Sequence, residues 1–157
     1  LYMAKLKPNM IEIDGEIREI KLTHYLEGPW IHKQGGLYYL TYASMDQSRQ
    51  KQEHISYATA TSLHGPWTHR GELTGPAANS FTIHPGIEKF KGNWYFFYHN
   101  GALTIGDEKG GEFRRSVAVE HLRHAPDGTI RRIIQTRQGV SLSPTKSGTP
   151  TSVVAAQ

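Results

Sequence analysis

The stretch EGPWIHKQGGLYYLTYAS, residues 27–44, decides the reading of the fold. It sets a lone carboxylate, Glu27, just ahead of a Gly28-Pro29 turn that leads into a strand. A Gly-Gly pair then introduces YYLTY, residues 38–42, a run of aromatic and β-branched residues of the kind that forms strands. The pattern returns in HPGIEKFKGNWYFFYHN, residues 84–100, where Pro-Gly follows the first residue and Gly92-Asn93 introduces WYFFY. His84 stands 57 positions after Glu27.

The segments after the two aromatic strands repeat too. A polar loop leads to a second strand, ISYATA at 55–60 in one unit and SVAVEHL at 116–122 in the other. A turn with proline comes next, His64-Gly65-Pro66-Trp67 or Ala125-Pro126-Asp127-Gly128, and then a short strand, 70–73 or 129–134. Three to four strands per unit, punctuated by glycine turns, describe one blade of a β-propeller. A β-sandwich needs no such internal period. The first two dozen residues add a partial unit, with LYMAKL as a strand and IEIDGEIREI as a hairpin turning at Asp14-Gly15.

The expectation is therefore an all-β chain of about two and a half propeller blades: a partial blade at 1–24, blades at 25–80 and 81–139, and a disordered or loosely attached Ser/Thr/Pro-rich tail at 140–157. No stretch of a dozen residues keeps a helical apolar period without a Gly or Pro break.

Composition removes several functions. The chain has 157 residues with 37% hydrophobic and 20% charged, which suits a folded core rather than a disordered chain. A net charge of +4 is spread thinly, with only the pairs Arg114-Arg115 and Arg131-Arg132, so no nucleic-acid partner is expected. No apolar run reaches the length of a membrane span, and LYMAKLKPNM is no signal peptide. Cysteine is absent, which excludes thiolate chemistry and leaves both a cytoplasmic and a secreted location open. The nine histidines lack HExxH spacing, and GDEKGG at 106–111 lacks the Lys-Ser/Thr ending of a phosphate loop.

Four segments, NMIEIDGEI…EGPWIHKQGGLYYLTYAS, SYATATSLHGPW, HPGIEKFKGNWYFFYHN and RRSVAVEHLRHAPDGTI, together resemble the C-terminal half of a family 43 glycoside hydrolase, from Leu1 to about Gly139. The resemblance implies a five-bladed β-propeller acting on arabinose- and xylose-containing polysaccharides. It implies that Glu27 is the general acid. It places His84 at the floor of the funnel, where it binds substrate and helps to order a Ca²⁺ ion through water, and it implies no organic cofactor. Arg115, twelve positions before Asp127, is implied as a substrate contact, with Arg114 beside it. Trp30, Tyr38 and Tyr39 are candidates for sugar stacking.

The chemistry agrees with those roles. The innermost strand of each propeller blade lines the central channel, so equivalent positions of successive blades converge. A glycosidic oxygen must be protonated as its bond breaks, which calls for a carboxylic acid. An inverting enzyme of this type also needs a general base roughly 6.5–9.5 Å away. The resemblance puts that Asp in the first blade, upstream of Leu1, and Asp14, Asp46, Asp107 and Asp127 do not match it. The chain thus reads as an acid without its base, either a fragment or a chain completed by a homo-oligomeric partner or a complementing N-terminal half. The partner molecule is a pentose-containing oligosaccharide or polysaccharide, the activity that of an α-L-arabinofuranosidase or β-xylosidase. The alternative is a non-catalytic carbohydrate-binding or scaffold propeller piece.

Overall fold

A computed structural model describes residues 1–46 and 52–140, and every regular element in them is a β-strand. The tail expected at 140–157 lies, beyond residue 140, outside the described residues. Among the described residues no helix is long and apolar enough to cross a membrane.

Two antiparallel sheets share one plan. In the first, β3 (Tyr25–Gln34), β4 (Leu37–Met45), β5 (Glu53–Ala60) and β6 (Thr68–Thr74) lie in chain order. In the second, β7 (Gly86–Phe90), β8 (Asn93–Asn100) and β9 (Ser116–Leu122) do the same. Each opens on a two-residue hairpin, Gln34 facing Leu37 across Gly35-Gly36 and Phe90 facing Asn93 across Lys91-Gly92. Gly35 and Gly92 both hold positive φ, at 59° and 82°, a conformation that glycine reaches without strain. The remaining pair, β1 (Tyr2–Met3) and β2 (Arg18–Glu19), forms the partial unit. This is the all-β, partial five-bladed propeller with about two and a half blades.

Alternation along the strands builds two cores. Tyr39 and Ala43 of β4 join Ile55, Tyr57, Leu73, Ile83, Ile87, Phe96, Tyr98 and Leu122 in the seam between the two sheets. Leu40 and Tyr42 point the other way and pack with Ile20, Ala58, Leu1 and Met3. Being covered on both faces, β5 buries all eight of its residues.

The structure corrects the sequence reading at three places. The hairpin expected at Asp14-Gly15 does not form. The chain reverses earlier, with Lys7 N–H donating to Glu12 O at 2.8 Å, while Asn9 Oδ1 accepts from the amides of Ile11 and Glu12. That side-chain turn after Pro8 overrides the Asp-Gly signal, and Asp14 is instead paired with Lys5. Residues 129–134 form no strand. After a single bridge between His124 and Ile130, they run as a strap across the seam. Ile133 N–H donates to Leu73 O at 2.8 Å, Ile130 N–H to Tyr57 Oη at 3.0 Å and Tyr39 O–H to Gly128 O at 3.0 Å. These hydrogen bonds go to the first blade, which leaves no ladder to join. The third correction is that Gly28-Pro29 is not a turn ahead of a strand but lies inside β3.

The strap also brings His124 onto His32, Nε2 to Nε2 at 2.9 Å, with the Tyr39 ring stacked on His32 at 4.8 Å. His32 is 7% exposed, and its Nδ1 is buried without a partner among the described residues. Burial, and then the facing His124, push the His32 pKa down to about 3. Burial and then Lys89 lower that of His124. A histidine held neutral in the folded state but free to protonate when unfolded contributes stability above the unfolded pKa and loses it as pH falls toward the folded value. Between about pH 6.5 and 3, His32 is expected to cost up to about 1.4 kcal/mol per pH unit. On acidification the urea midpoint of wild type should fall more steeply than that of His32→Phe. Parallel pH profiles for the two would remove His32 as the cause.

Candidate active site

Glu27 is aimed by a defect in its own strand. Tyr25 pairs with Ser44 and Glu27 with Ala43, but the next partners are Trp30 and Thr41. Gly28 and Pro29 thus oppose the single residue Tyr42. Proline cannot donate to a ladder and is tolerated at a bulge on an edge strand, and β3 is the edge of its sheet. Gly28 adopts φ +60°, and a Cβ there would lie 3.1 Å from His84 Cγ. Glycine takes this conformation without strain and leaves the imidazole room against the backbone. His84 Nε2 then meets Glu27 Oε1 at 2.9 Å. The two residues that the sequence singled out, 57 positions apart, touch.

Glu53 lies beneath them and was missed. It is the first residue of β5, 4% exposed, and its Oε2 accepts the Ile83 amide at 3.0 Å. One ligating atom each of Glu27, Glu53 and His84 lie within 4.8 Å of one another. Burial raises the Glu53 pKa, the Ile83 hydrogen bond opposes that, the Glu27 charge adds to it, and His84 and Arg115 oppose it. The sequence signal was faint: reading the strand from Ile55 cut off the Glu-His pair that begins it.

His99 stands beside His84. Its ring meets that of His84 edge-on at 5.4 Å, and its Nε2 bonds Thr82 Oγ1 at 2.8 Å. Burial, then the charges of Arg115 and His84, lower its pKa. Arg115 lies near enough to act electrostatically on both Glu53 and His99. It shares with Arg114 and Leu103 the wall of a cavity of about 160 Å³. Arg114 is tied to Glu108 at 2.7 Å. Trp30 is 39% exposed, and its Nε1–H donates to Ile87 O at 2.8 Å, stitching β3 to β7.

The arrangement offers a half-exposed carboxyl group held at one oxygen by an imidazole, a buried carboxylate below it and a guanidinium nearby. It can bind a polar ligand and pass it a proton.

Known proteins share this region. The family model for glycosyl hydrolases family 43 matches residues 1–130. A xylosidase/arabinosidase of Bacteroides ovatus is 29% identical over 142 residues, covering 82% of this chain and 41% of that protein. The structure of the GH43_1 enzyme from Xanthomonas citri complexed with xylose superposes with a TM-score of 0.74 at 34% identity, over 90% of this chain and 44% of that one. A β-xylosidase/α-arabinofuranosidase from a compost metagenome, in complex with xylotriose and in calcium-free form, gives 0.69 at 31%, over 83% and 41%. The chain thus spans less than half the length of these relatives.

Proposed function

Because the chain belongs to glycosyl hydrolases family 43, we propose that it serves an inverting glycosidase that acts on xylose- or arabinose-containing hemicellulose, of the β-xylosidase or α-L-arabinofuranosidase type, with Glu27 as general acid. The observation that carries this reading is the 2.9 Å contact of Glu27 with His84. In this role His84 donates from Nε2 to Oε1 of Glu27, which leaves Oε2 to carry the proton to the glycosidic oxygen. Once the proton has gone, the same hydrogen bond stabilises the carboxylate that results. Arg115 binds sugar hydroxyls, and Trp30 adds an aromatic edge.

Glu53 is not the second carboxylate of such a reaction. At 4% exposure and with one oxygen bound to Ile83, it cannot face a water or a sugar. Asp14 is engaged by Lys5 and Asp127 by its own turn at Thr129. The general base then comes from outside the described residues.

Calcium held directly by Glu27, Glu53 and His84 does not fit. The ion takes about six to eight oxygens, whereas this trio offers two carboxylates and an imidazole already engaged with each other and with Ile83. No step is assigned to a metal. Calcium reached by His84 through water leaves those bonds intact and stays within the proposal.

The test is hydrolysis of 4-nitrophenyl β-xyloside and α-arabinofuranoside by this chain together with the complementing N-terminal half that supplies the base, with and without a calcium chelator. Release from either substrate is expected. Hydrolysis of neither, by a protein shown to be folded, would falsify the catalytic reading, and a rate indifferent to the chelator would remove calcium alone.

A further inference from the structure

We propose that Glu53 is the positioning residue of this site: its carboxylate holds the Ile83 backbone across the blade seam and so delivers the His84 imidazole to Glu27. The catalytic consequence rests on the function proposed above; the structural claim does not.

The loop between the blades needs an anchor. β6 ends at Thr74 and β7 begins at Gly86, so residues 75–85 have no ladder of their own and must find other partners for their amides. Among the described residues, the bonds of 78–82 stay within the loop or run to the second blade and the loop after β8. Gly101 N–H donates to Ala78 O, Asn79 Nδ2–H to Gly101 O, Phe81 N–H to Glu112 O, and Thr82 Oγ1 bonds His99. These bonds fix the loop relative to β8. Glu27, however, sits on β3 of the first blade. If the second blade alone held the loop, any slip of one sheet on the other would pull His84 off Glu27.

Glu53 prevents that. It stands on β5, the strand buried over its whole length and joined to both β4 and β6. From there its Oε2 reaches Ile83, thirty positions on, at 3.0 Å. Ile83 is fully buried in the seam core, so packing grips it from one side and Glu53 from the other. The tether to His84 is then a single peptide unit. Trp30 gives the same seam a second stitch on Ile87, on the far side of His84 in sequence. A carboxylate this buried costs stability unless its hydrogen bonds are made, so the placement calls for an explanation, and holding His84 supplies one.

The experiment uses two variants, each assayed for turnover together with the complementing N-terminal half that supplies the base. Glu53→Gln keeps a side-chain carbonyl that can accept from Ile83. Glu53→Met keeps the volume and loses the acceptor. Two readouts are taken: amide exchange at Ile83, and the ratio of turnover on an unactivated disaccharide linkage to turnover on a 2,4-dinitrophenyl glycoside, whose leaving group needs little acid help. Glu53→Met should expose the Ile83 amide while β5 and β8 stay protected. It should also lower the ratio roughly 10²-fold, as displaced catalytic groups do. Glu53→Gln should keep both near wild type. A variant that only unfolds loses both substrates in proportion and leaves the ratio unchanged. The proposal is overturned by a folded Glu53→Met with Ile83 still protected and an unaltered ratio, or by Glu53→Gln losing the ratio as fully as Glu53→Met. Should Glu53→Met not fold, the wild type decides: a through-hydrogen-bond scalar coupling between the Ile83 amide nitrogen and the Glu53 carboxyl carbon is expected, and its absence overturns the assignment. A wild type that hydrolyses neither substrate sinks the catalytic reading, while the coupling still judges the tether.

Discussion

In the enzyme completed by the half that supplies the base, Glu27→Gln is expected to lower turnover on a natural xyloside or arabinofuranoside linkage by on the order of 10² to 10⁴, the usual contribution of a general acid. The substitution is close to isosteric. The amide oxygen can still accept from His84 Nε2, which now lies 2.9 Å from Glu27 Oε1, so the floor of the site should hold its shape. The proton on the other oxygen disappears. The loss should therefore track the leaving group: large for a sugar alcohol, small for a dinitrophenolate that departs unaided. Steady-state rates across an aryl glycoside series give the slope directly. Near-full turnover by Glu27→Gln on the natural linkage would end the assignment. A uniform loss across the series would point to damaged binding rather than lost acid catalysis.

Phe96→Ala is expected to cost about 3–5 kcal/mol of folding stability, the range for emptying an aromatic core position. Phe96 lies mid-strand in β8, fully buried, its ring stacked on Tyr98 at 5.4 Å. It belongs to the cluster that joins the two sheets and that also contains Tyr57, Leu73 and Ile83. A domain of this size is stable by roughly 5–15 kcal/mol, so a substantial part of the margin should go, and urea denaturation will show it. A change below about 1 kcal/mol would mean that the seam can refill the cavity. Because Ile83 shares the cluster and precedes His84, the same cavity should loosen the site before the protein unfolds.

How far the sequence reveals this molecule depends on the range over which each feature is decided. The aromatic strands and their Gly turns are written locally, in alternation and in residues that accept positive φ, and β4, β8 and β9 lie where the pattern puts them. Glu27 and His84 come with those strands. The Gly-Pro pair reads as a turn because the same two residues also suit a bulge, and only the pairing of β3 with β4 tells the two apart. Asn9 wins the reversal from Asp14-Gly15 through two local side-chain hydrogen bonds whose strength no dipeptide rule ranks. Residues 129–134 are apolar enough for a strand, and only the seam they cross makes them a strap. Glu53 is the hardest to find. A glutamate ahead of an apolar run looks like a solvated end, and its burial makes sense only beside an amide thirty residues away.

The strap sets the order in which the molecule can be finished. Its contacts join residues far apart in the chain: 92 positions from His32 to His124, 89 from Tyr39 to Gly128 and 73 from Tyr57 to Ile130. Hairpins such as β3–β4 close within microseconds of becoming free, but these closures wait on synthesis. At about 5–20 residues per second, His32 waits roughly 5 to 18 seconds for its partner to be made. Through that interval the seam face of the first blade, with Tyr39, Ile55 and Tyr57, stands open on the nascent chain. Closing contacts of such long range is also slow in its own right. The assembled seam, and with it the placement of His84 on Glu27, is therefore a late event in the life of each chain, and the newly emerging first blade is the stage at which a chaperone has most to cover.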